Sequence, residues 1–289
     1  MSDGQRKTTT LKRLIRDPRI LVVPRVHDCI SALSAQKAGF KAVQVSGFGV
    51  AAALLGTPDF GLLTYAENLM MTRYIAQALQ IPVMADADTG YGNALNVIRT
   101  VRDYERAGVA GIHLEDQDLP KKCGAMDGLV LVSTQEMCAK IAAAVDARAD
   151  RDFLVIARTD AISTSGLDEA IRRGDAYRKA GADAIMVMAP RSVDDLVRFR
   201  AGVEGPLVCT VGAWPFEITT GELSSIGYSL ALFTVSMLRQ TVSAMRDTLA
   251  LLGRDGGLDH KAMIPMRELH GLLGYEKIQS MEQKYAITE

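Results

Sequence analysis

Cysteine is scarce in this chain: four in 289 residues (Cys29, Cys123, Cys138 and Cys209), none of them in a CxxC spacing. A chain of this length buries a core without covalent staples, so reduced thiols in a cytoplasmic protein are expected rather than disulfides or structural zinc. An excess of either charge is also missing. Lys and Arg number 33 against 34 Asp and Glu, and the net charge of −1 leaves no electrostatic footprint for nucleic acid or a membrane surface. The cluster Lys12, Arg13, Arg16 is followed at once by Asp17 and reads as a solvated helix face. The longest apolar runs, such as Ser229 to Val235, fall far short of a membrane span, and Met1 to Thr10 is polar, unlike a secretory leader. The four histidines (His27, His113, His260, His270) form neither an HExxH motif nor a triad-like set, and no GxSxG elbow exists. The first strand-like run is followed by no glycine-rich phosphate turn, which argues against a doubly wound dinucleotide fold. No self-similar repeat of 20–50 residues is present.

What is present is alternation. Short β-branched runs are followed by Ala/Arg/Glu-rich helical stretches, several of them closed by glycine. After a helix over Thr9–Arg16, the spacing predicts strands at Ile20–Val26, Ala42–Ser46, Ile81–Ala87, Gly111–Leu114, Phe153–Ala157, Ala184–Met188, Leu207–Val211 and Leu230–Val235. The intervening helices are expected at Ile30–Ala38, Ala66–Leu79, Ala94–Ala107, Thr134–Ala147, Asp168–Ala180, Val193–Ala201, Gly221–Ile226 and Leu238–Leu252, with a Gly/Ala-rich loop after the second strand. Eight such units in about 230 residues predict an α/β fold of the (β/α)8 TIM-type barrel class. The barrel domain is expected over residues 1–253. A C-terminal helical tail over 254–289, with helices at Met263–Leu273 and Ile278–Tyr285, would pack on the barrel or on a neighbouring subunit.

In such a barrel, chemistry belongs at the carboxyl ends of the strands. Unusual polar residues fall there repeatedly: Ser46-Gly47 after the second strand, Asp86 to Gly92 after the third, Glu115-Asp116 after the fourth and Arg158-Thr159-Asp160 after the fifth. Asp86 and Asp88, at i and i+2 on one strand, are expected to share a face. Together with Glu115 they suit Mg²⁺, a hard cation that takes oxygen ligands and keeps several waters. Asn93 reads as an N-cap. Cys123 lies in the long loop after the fourth strand beside Lys121 and Lys122, whose charges favour a thiolate. The other three cysteines read as core, His27 as structural and His113 as a strand residue.

Four stretches carry a family resemblance: SGFGVAAALLGTPDFG (46–61), DADTGYGN (86–93), EDQDLPKKCG (115–124) and ARTD (157–160). With them the chain resembles the isocitrate lyase/phosphoenolpyruvate mutase superfamily, over about Thr10 to Leu252. The resemblance implies a Mg²⁺ enzyme (Mn²⁺ substituting) with the metal held largely through water by Asp86, Asp88 and Glu115, with Asp59 nearby. It implies a small 2-oxo or 2-hydroxy acid as substrate, its carboxylate held by Ser46, Gly47, Phe48 and Arg158. Cys123 matches the cysteine that protonates the departing carbanion in the lyases, with Gly124 beside it and Lys121 nearby for electrostatics. A homotetramer of dimers that exchange their eighth helix is implied as well. Three departures matter. Ala125 replaces a frequent His, Met188 replaces the Glu of Glu-Ala-Pro, and Cys209 to Trp214 lacks the usual Asn and Glu. The pocket side formed by Met188 and Trp214 is therefore expected to be more apolar, favouring a 2-alkylmalate or oxaloacetate over tricarboxylates. An oxaloacetate decarboxylase or hydrolase, or a carboxyphosphonoenolpyruvate-type phosphonomutase, stands as the alternative to a carbon–carbon lyase.

Overall fold

A computed structural model describes residues 6–286. Eight parallel strands close into one barrel in sequence order: β1 (Leu21–Val26), β2 (Val43–Val45), β3 (Val83–Asp86), β4 (Gly111–Glu115), β5 (Leu154–Thr159), β6 (Ala184–Val187), β7 (Leu207–Val211) and β8 (Leu230–Phe233). Strand β8 pairs back on β1, with Leu21 opposite Leu230 and Val23 opposite Leu232.

The period-2 alternation of each strand decides which side chains fill the barrel. Leu21, Val23, Leu154, Ile156, Met186, Val208, Leu230 and Leu232 form its interior, and helix α1 (Lys7–Leu14) lays Leu11 and the following Ile15 against them. The outward side chains, such as Val43, Val83, Ile112, Val155 and Ile185, pack under the surrounding helices. These are α2 (Cys29–Lys37), α3 (Gly47–Val50), α4 (Tyr65–Ala78), α5 (Ala94–Arg106), α6 (Thr134–Ala147), α7 (Ala161–Ser165), α8 (Leu167–Lys179), α9 (Val193–Gly202) and α10 (Thr220–Ile226). Local chemistry starts many of them: Asp28, Thr64, Asn93, Ser133, Ser192 and Thr219 each accept a backbone N–H in the first turn. Asn93 is thus the cap that its position predicts.

Two segments depart from the sequence expectation. The Gly/Ala-rich stretch after β2 is helical, α3 running into a π-helical turn at Ala51–Leu55 that Gly56 ends with φ +65°. Its Ala/Leu content is good helix former, but the run is too short to show a period. The five-residue α7 is hidden for the same reason.

Three helices follow the barrel: α11 (Ser236–Asp255), α12 (Met266–Leu272) and α13 (Tyr275–Lys284). From Ser236 to Arg254 no residue is buried, and α12 and α13 bury none. The helix that should cover β8 and β1 instead leaves the barrel, and an apolar cavity of about 440 Å³ opens there, lined by Val22, Pro24, Ala35, Phe40, Phe233 and Met237. No described helix is long and apolar enough to cross a membrane.

Candidate active site

The inward phase that carries Leu21 and Val23 on β1 reaches Arg25 at the top, and on the neighbouring strands it delivers Gln44, Asp86, His113, Glu115 and Arg158. All six are buried, together with Asp59, Asp88, Lys121 and Asp160. The barrel mouth is therefore a desolvated cluster of charge whose partners can be named. Lys121 Nζ lies 2.8 Å from Asp59 Oδ1 and 2.6 Å from Asp88 Oδ1. Arg158 contacts Glu115 Oε2 at 2.8 Å and grips Asp160 with Nε and Nη2 at 2.9 and 2.8 Å. Arg25 Nη2 is 3.5 Å from Asp86 Oδ2.

The turn after β3 is not the extended continuation expected from the spacing. The strand stops at Asp86, and Asp88 is left-handed with φ +47°. The i, i+2 argument for a shared face therefore does not apply. The two carboxylates converge because the turn folds back: Asp88 N–H donates to Asp86 Oδ1 at 3.2 Å. Both also face Gly47, whose N–H donates to Asp86 Oδ2 at 3.3 Å. A Cβ on Gly47 would stand 3.2 Å from Asp86 Oδ2 and 3.3 Å from Asp88 Oδ1, so a side chain there would crowd both carboxylates unless they gave by a few tenths of an ångström. Ser46 caps α3 by accepting from Gly49 N–H, and Phe48 beside Gly47 is half-buried.

Electrostatics follow from the burial. Desolvation pushes Asp88 up to about 6 and Glu115 well above the usual carboxylate range. Burial opposes the charge of Asp86 too, but His113 when protonated, and Lys121, Arg25 and Arg158 at any pH, outweigh it and hold that carboxyl low. Lys121 loses by desolvation and gains more from Asp88, Glu115, Asp86 and Asp59, which hold its ammonium charged. Burial lowers His113 to about 4, so this ring is neutral. Five carboxyl groups (Asp59, Asp86, Asp88, Glu115, Asp160) thus face three cations (Arg25, Lys121, Arg158), so ionising all five would leave two negative charges in excess, which is why burial raises Asp88 and Glu115. Uncompensated buried charge is costly, and one divalent cation would balance it.

The donor set suits such an ion: oxygen only, with Glu115 Oε1 buried and without a hydrogen-bond partner. Among the described residues, no three His, Cys, Asp or Glu side chains cluster tightly enough to ligate one ion directly.

The loop after β4 carries the thiol to this cluster. Cys123 N–H donates to Asp59 O at 3.0 Å, and Cys123 is half-buried. A Cβ on Gly124 would fall within 2.4 Å of Asp160 Oδ1 and Arg158 Nη2 and 3.2 Å from Met188 Cε, so the Cys123-Gly124 backbone lies down on the rim. Across the mouth, Trp214 packs on the same interior cluster as Met188 and donates Nε1–H to Thr210 O at 2.9 Å. Burial pushes the Cys209 thiol up to about 12, which marks it as inert core. Arg25 and Gln44 belong to no motif in the sequence, and His113 shows there only as a strand residue. Gln44 Oε1 accepts from Arg25 Nε, and its Nε2–H donates to Val45 O at 2.7 Å and to His113 Nε2. His113 Nδ1 then carries the ring proton toward Asp86 Oδ1, 3.9 Å away. The signal that could have found them is a polar residue at the inward phase of an otherwise apolar strand.

With this geometry in place, the likenesses to known proteins are informative. A family model described as phosphoenolpyruvate phosphomutase matches residues 11–252. The chain is 41% identical to 2,3-dimethylmalate lyase of Eubacterium barkeri, over 96% of this chain and 97% of that protein. It is 42% identical to the chloroplastic carboxyvinyl-carboxyphosphonate phosphorylmutase of Arabidopsis thaliana, over 96% and 84% respectively. Among solved structures, a 2,3-dimethylmalate lyase superposes with a TM-score of 0.91 at 34% identity, covering 97% of this chain and 96% of that one. A phosphonopyruvate hydrolase complexed with oxalate and Mg²⁺ superposes with a TM-score of 0.90 at 35% identity, covering 97% and 99%.

Proposed function

The chain belongs to the phosphoenolpyruvate mutase/isocitrate lyase superfamily, and from that premise we propose that it is a Mg²⁺-dependent carbon–carbon lyase. Its substrate is a 2-hydroxy dicarboxylate of the 2-alkylmalate kind, cleaved to a 2-oxo acid such as pyruvate and a carboxylic acid. The observation that carries this reading is Cys123-Gly124 lying on the rim above a cluster of five buried carboxyl groups that only three cations face.

Asp86, Asp88 and Glu115 would hold the cation, and when bound it supplies Lewis-acid stabilisation of charge on the 2-oxygen. The remaining work falls to the chain's own residues. Ser46, Gly47, Phe48 and Arg158 orient the substrate carboxylate next to the cation site. Asp59 and Asp88, bridged by Lys121, stand ready to receive the proton of the 2-hydroxyl as the bond between C2 and C3 breaks. Cys123 returns a proton to the carbon that leaves, and the closed loop keeps bulk water from doing so first. Met188 and Trp214 present an apolar wall to an alkyl group on the leaving acid, which disfavours a third carboxylate there. The 41% identity to a 2,3-dimethylmalate lyase supports this choice of substrate.

Purified protein with Mg²⁺ should release a 2-oxo acid from 2-alkylmalates and lose that activity with EDTA, read in a coupled 2-oxo-acid assay. Cys123→Ser should lower kcat at least about a hundredfold, the range of a lost general acid. A decarboxylase would hardly notice the substitution, and a phosphonomutase, the reading favoured by the 42% relative, would release no 2-oxo acid from malates. Faster cleavage of methylisocitrate than of any alkylmalate would sink the substrate assignment.

The outer groove at β8 and β1, together with the projecting α11, supports a homotetramer of dimers that exchange this helix, each copy covering its partner's groove. The domain division at residue 253 is less natural than one before α11.

A further inference from the structure

Behind the rim, on the outside of the barrel, lies a second buried charged cluster to which the proposed chemistry assigns nothing. Asp116, fully buried, follows Glu115. Its Oδ2 accepts from Thr159 Oγ1 at 2.8 Å, Arg173 Nη1 at 3.1 Å and Tyr177 OH at 2.8 Å. Its Oδ1 accepts from Asp160 N–H at 2.9 Å. Arg173, from α8, also donates to Val132 O at 3.0 Å and to Glu169 Oε1 at 2.8 Å.

Two of these bonds lead toward the site: one to Asp160 and one to the far end of the loop at Val132. Asp160, placed by Asp116, is the residue that grips Arg158 bidentately. Asp116 N–H donates to Arg158 O, and Val132 N–H donates to Asp116 O. Asp116 and Val132 are the two ends of the loop that carries Lys121 and Cys123. Its neck is zipped by Asp118 N–H donating to Val130 O and by the bridge between Gln117 and Leu131. One carboxylate thus joins the loop neck, the Arg158 clamp and α8.

We propose that Asp116, Arg173 and Tyr177 are positioning residues for the lyase reaction proposed above, holding Arg158 in line and the loop neck closed from outside the pocket. A carboxylate with this many donors has little freedom to shift. Moving it would shift Asp160, and with it Arg158, and would loosen the loop at the same time.

The test removes one hydroxyl while keeping shape. Tyr177→Phe and Thr159→Val each delete a bond to Asp116, and Tyr228→Phe is the control. Tyr228 is also buried, but its hydroxyl meets Leu196 O on the far side of the barrel. Two readouts are taken: kcat and KM for 2-oxo-acid release, and the rate of tryptic nicking after Lys121 or Lys122 in the native protein. Tyr177→Phe and Thr159→Val should lower kcat about tenfold and speed nicking by a similar factor, the weight of one buried hydrogen bond. Tyr228→Phe should lower the melting temperature comparably and move neither. If Tyr177→Phe and Thr159→Val only lose melting temperature, as the control does, the cluster is structural and the proposal is overturned. Nicking needs no turnover, so a wild-type enzyme inactive on every 2-hydroxy diacid would end the lyase reading while this test still decided the positioning role.

Discussion

A histidine enclosed by the barrel interior, with Arg25 and Arg158 nearby, is most stable uncharged, and His113 shows the consequence. Burial, with Arg25 and Arg158 adding to it and Asp86 opposing, lowers it from 6.5 to about 4. Between those values the unfolded chain takes up a proton that the folded one refuses, so stability is lost as pH falls from about 6.5 toward 4. The loss at the acid end is on the order of 3 kcal/mol at most. His113→Gln keeps an amide toward Gln44 and removes the titration. Its urea midpoint should therefore fall less steeply than the wild type's over that window, and an identical slope would show that His113 is not the group responsible. Gly47 and Gly124 make a related point. Each is a place where a missing Cβ lets backbone lie against buried charge, and the motif shows the glycine without showing what it approaches.

Among the elements, α1 deserves weight beyond its eight residues. Leu11 and Ile15 are nearly inaccessible and pack against Leu21, Leu154 and Leu230 in the barrel interior, at the end opposite the charged mouth. Lys7 adds bonds to Ala76 O at 2.9 Å and Leu79 O at 2.7 Å. Leu11→Ala should cost about 2–5 kcal/mol, the range for a buried leucine whose site cannot collapse. Urea unfolding would show it as a lower midpoint, and the kcat of the remaining folded fraction should be unchanged because the mouth lies at the other end of the strands. The helices were legible in the sequence because their apolar periods and caps are local. The turn at Asp88 was not, since its carbonyl accepts from Glu115 N–H on the next strand, far away in the chain.

The molecule as a whole leaves one face unfinished. Val242, Met245, Leu249 and Leu252 recur at spacings of three and four on α11 and are 56%, 57%, 65% and 41% exposed. That stripe is the pattern of a helix made to be covered. Met245→Lys combined with Leu249→Lys should shift the protein to a smaller species in light scattering coupled to gel filtration. Retention of the wild-type mass would show that α11 is not the interface.

Strand phase, helix period and capping residues are local properties, and they are enough to specify eight βα units and to send the acids to one rim. The motifs around Asp86, Glu115 and Cys123 likewise pointed to this rim. Which charges neutralise one another is a long-range matter. That Lys121 bridges Asp59 and Asp88, that Arg158 is shared by Glu115 and Asp160, and that Arg25, Gln44 and His113 support Asp86 depend on barrel closure. Closure brings side chains from different strands within a few ångströms in a medium where water cannot screen them. The same closure leaves the groove at β8 and β1 open, because the helix that follows β8 runs outward and the barrel alone cannot fold it back.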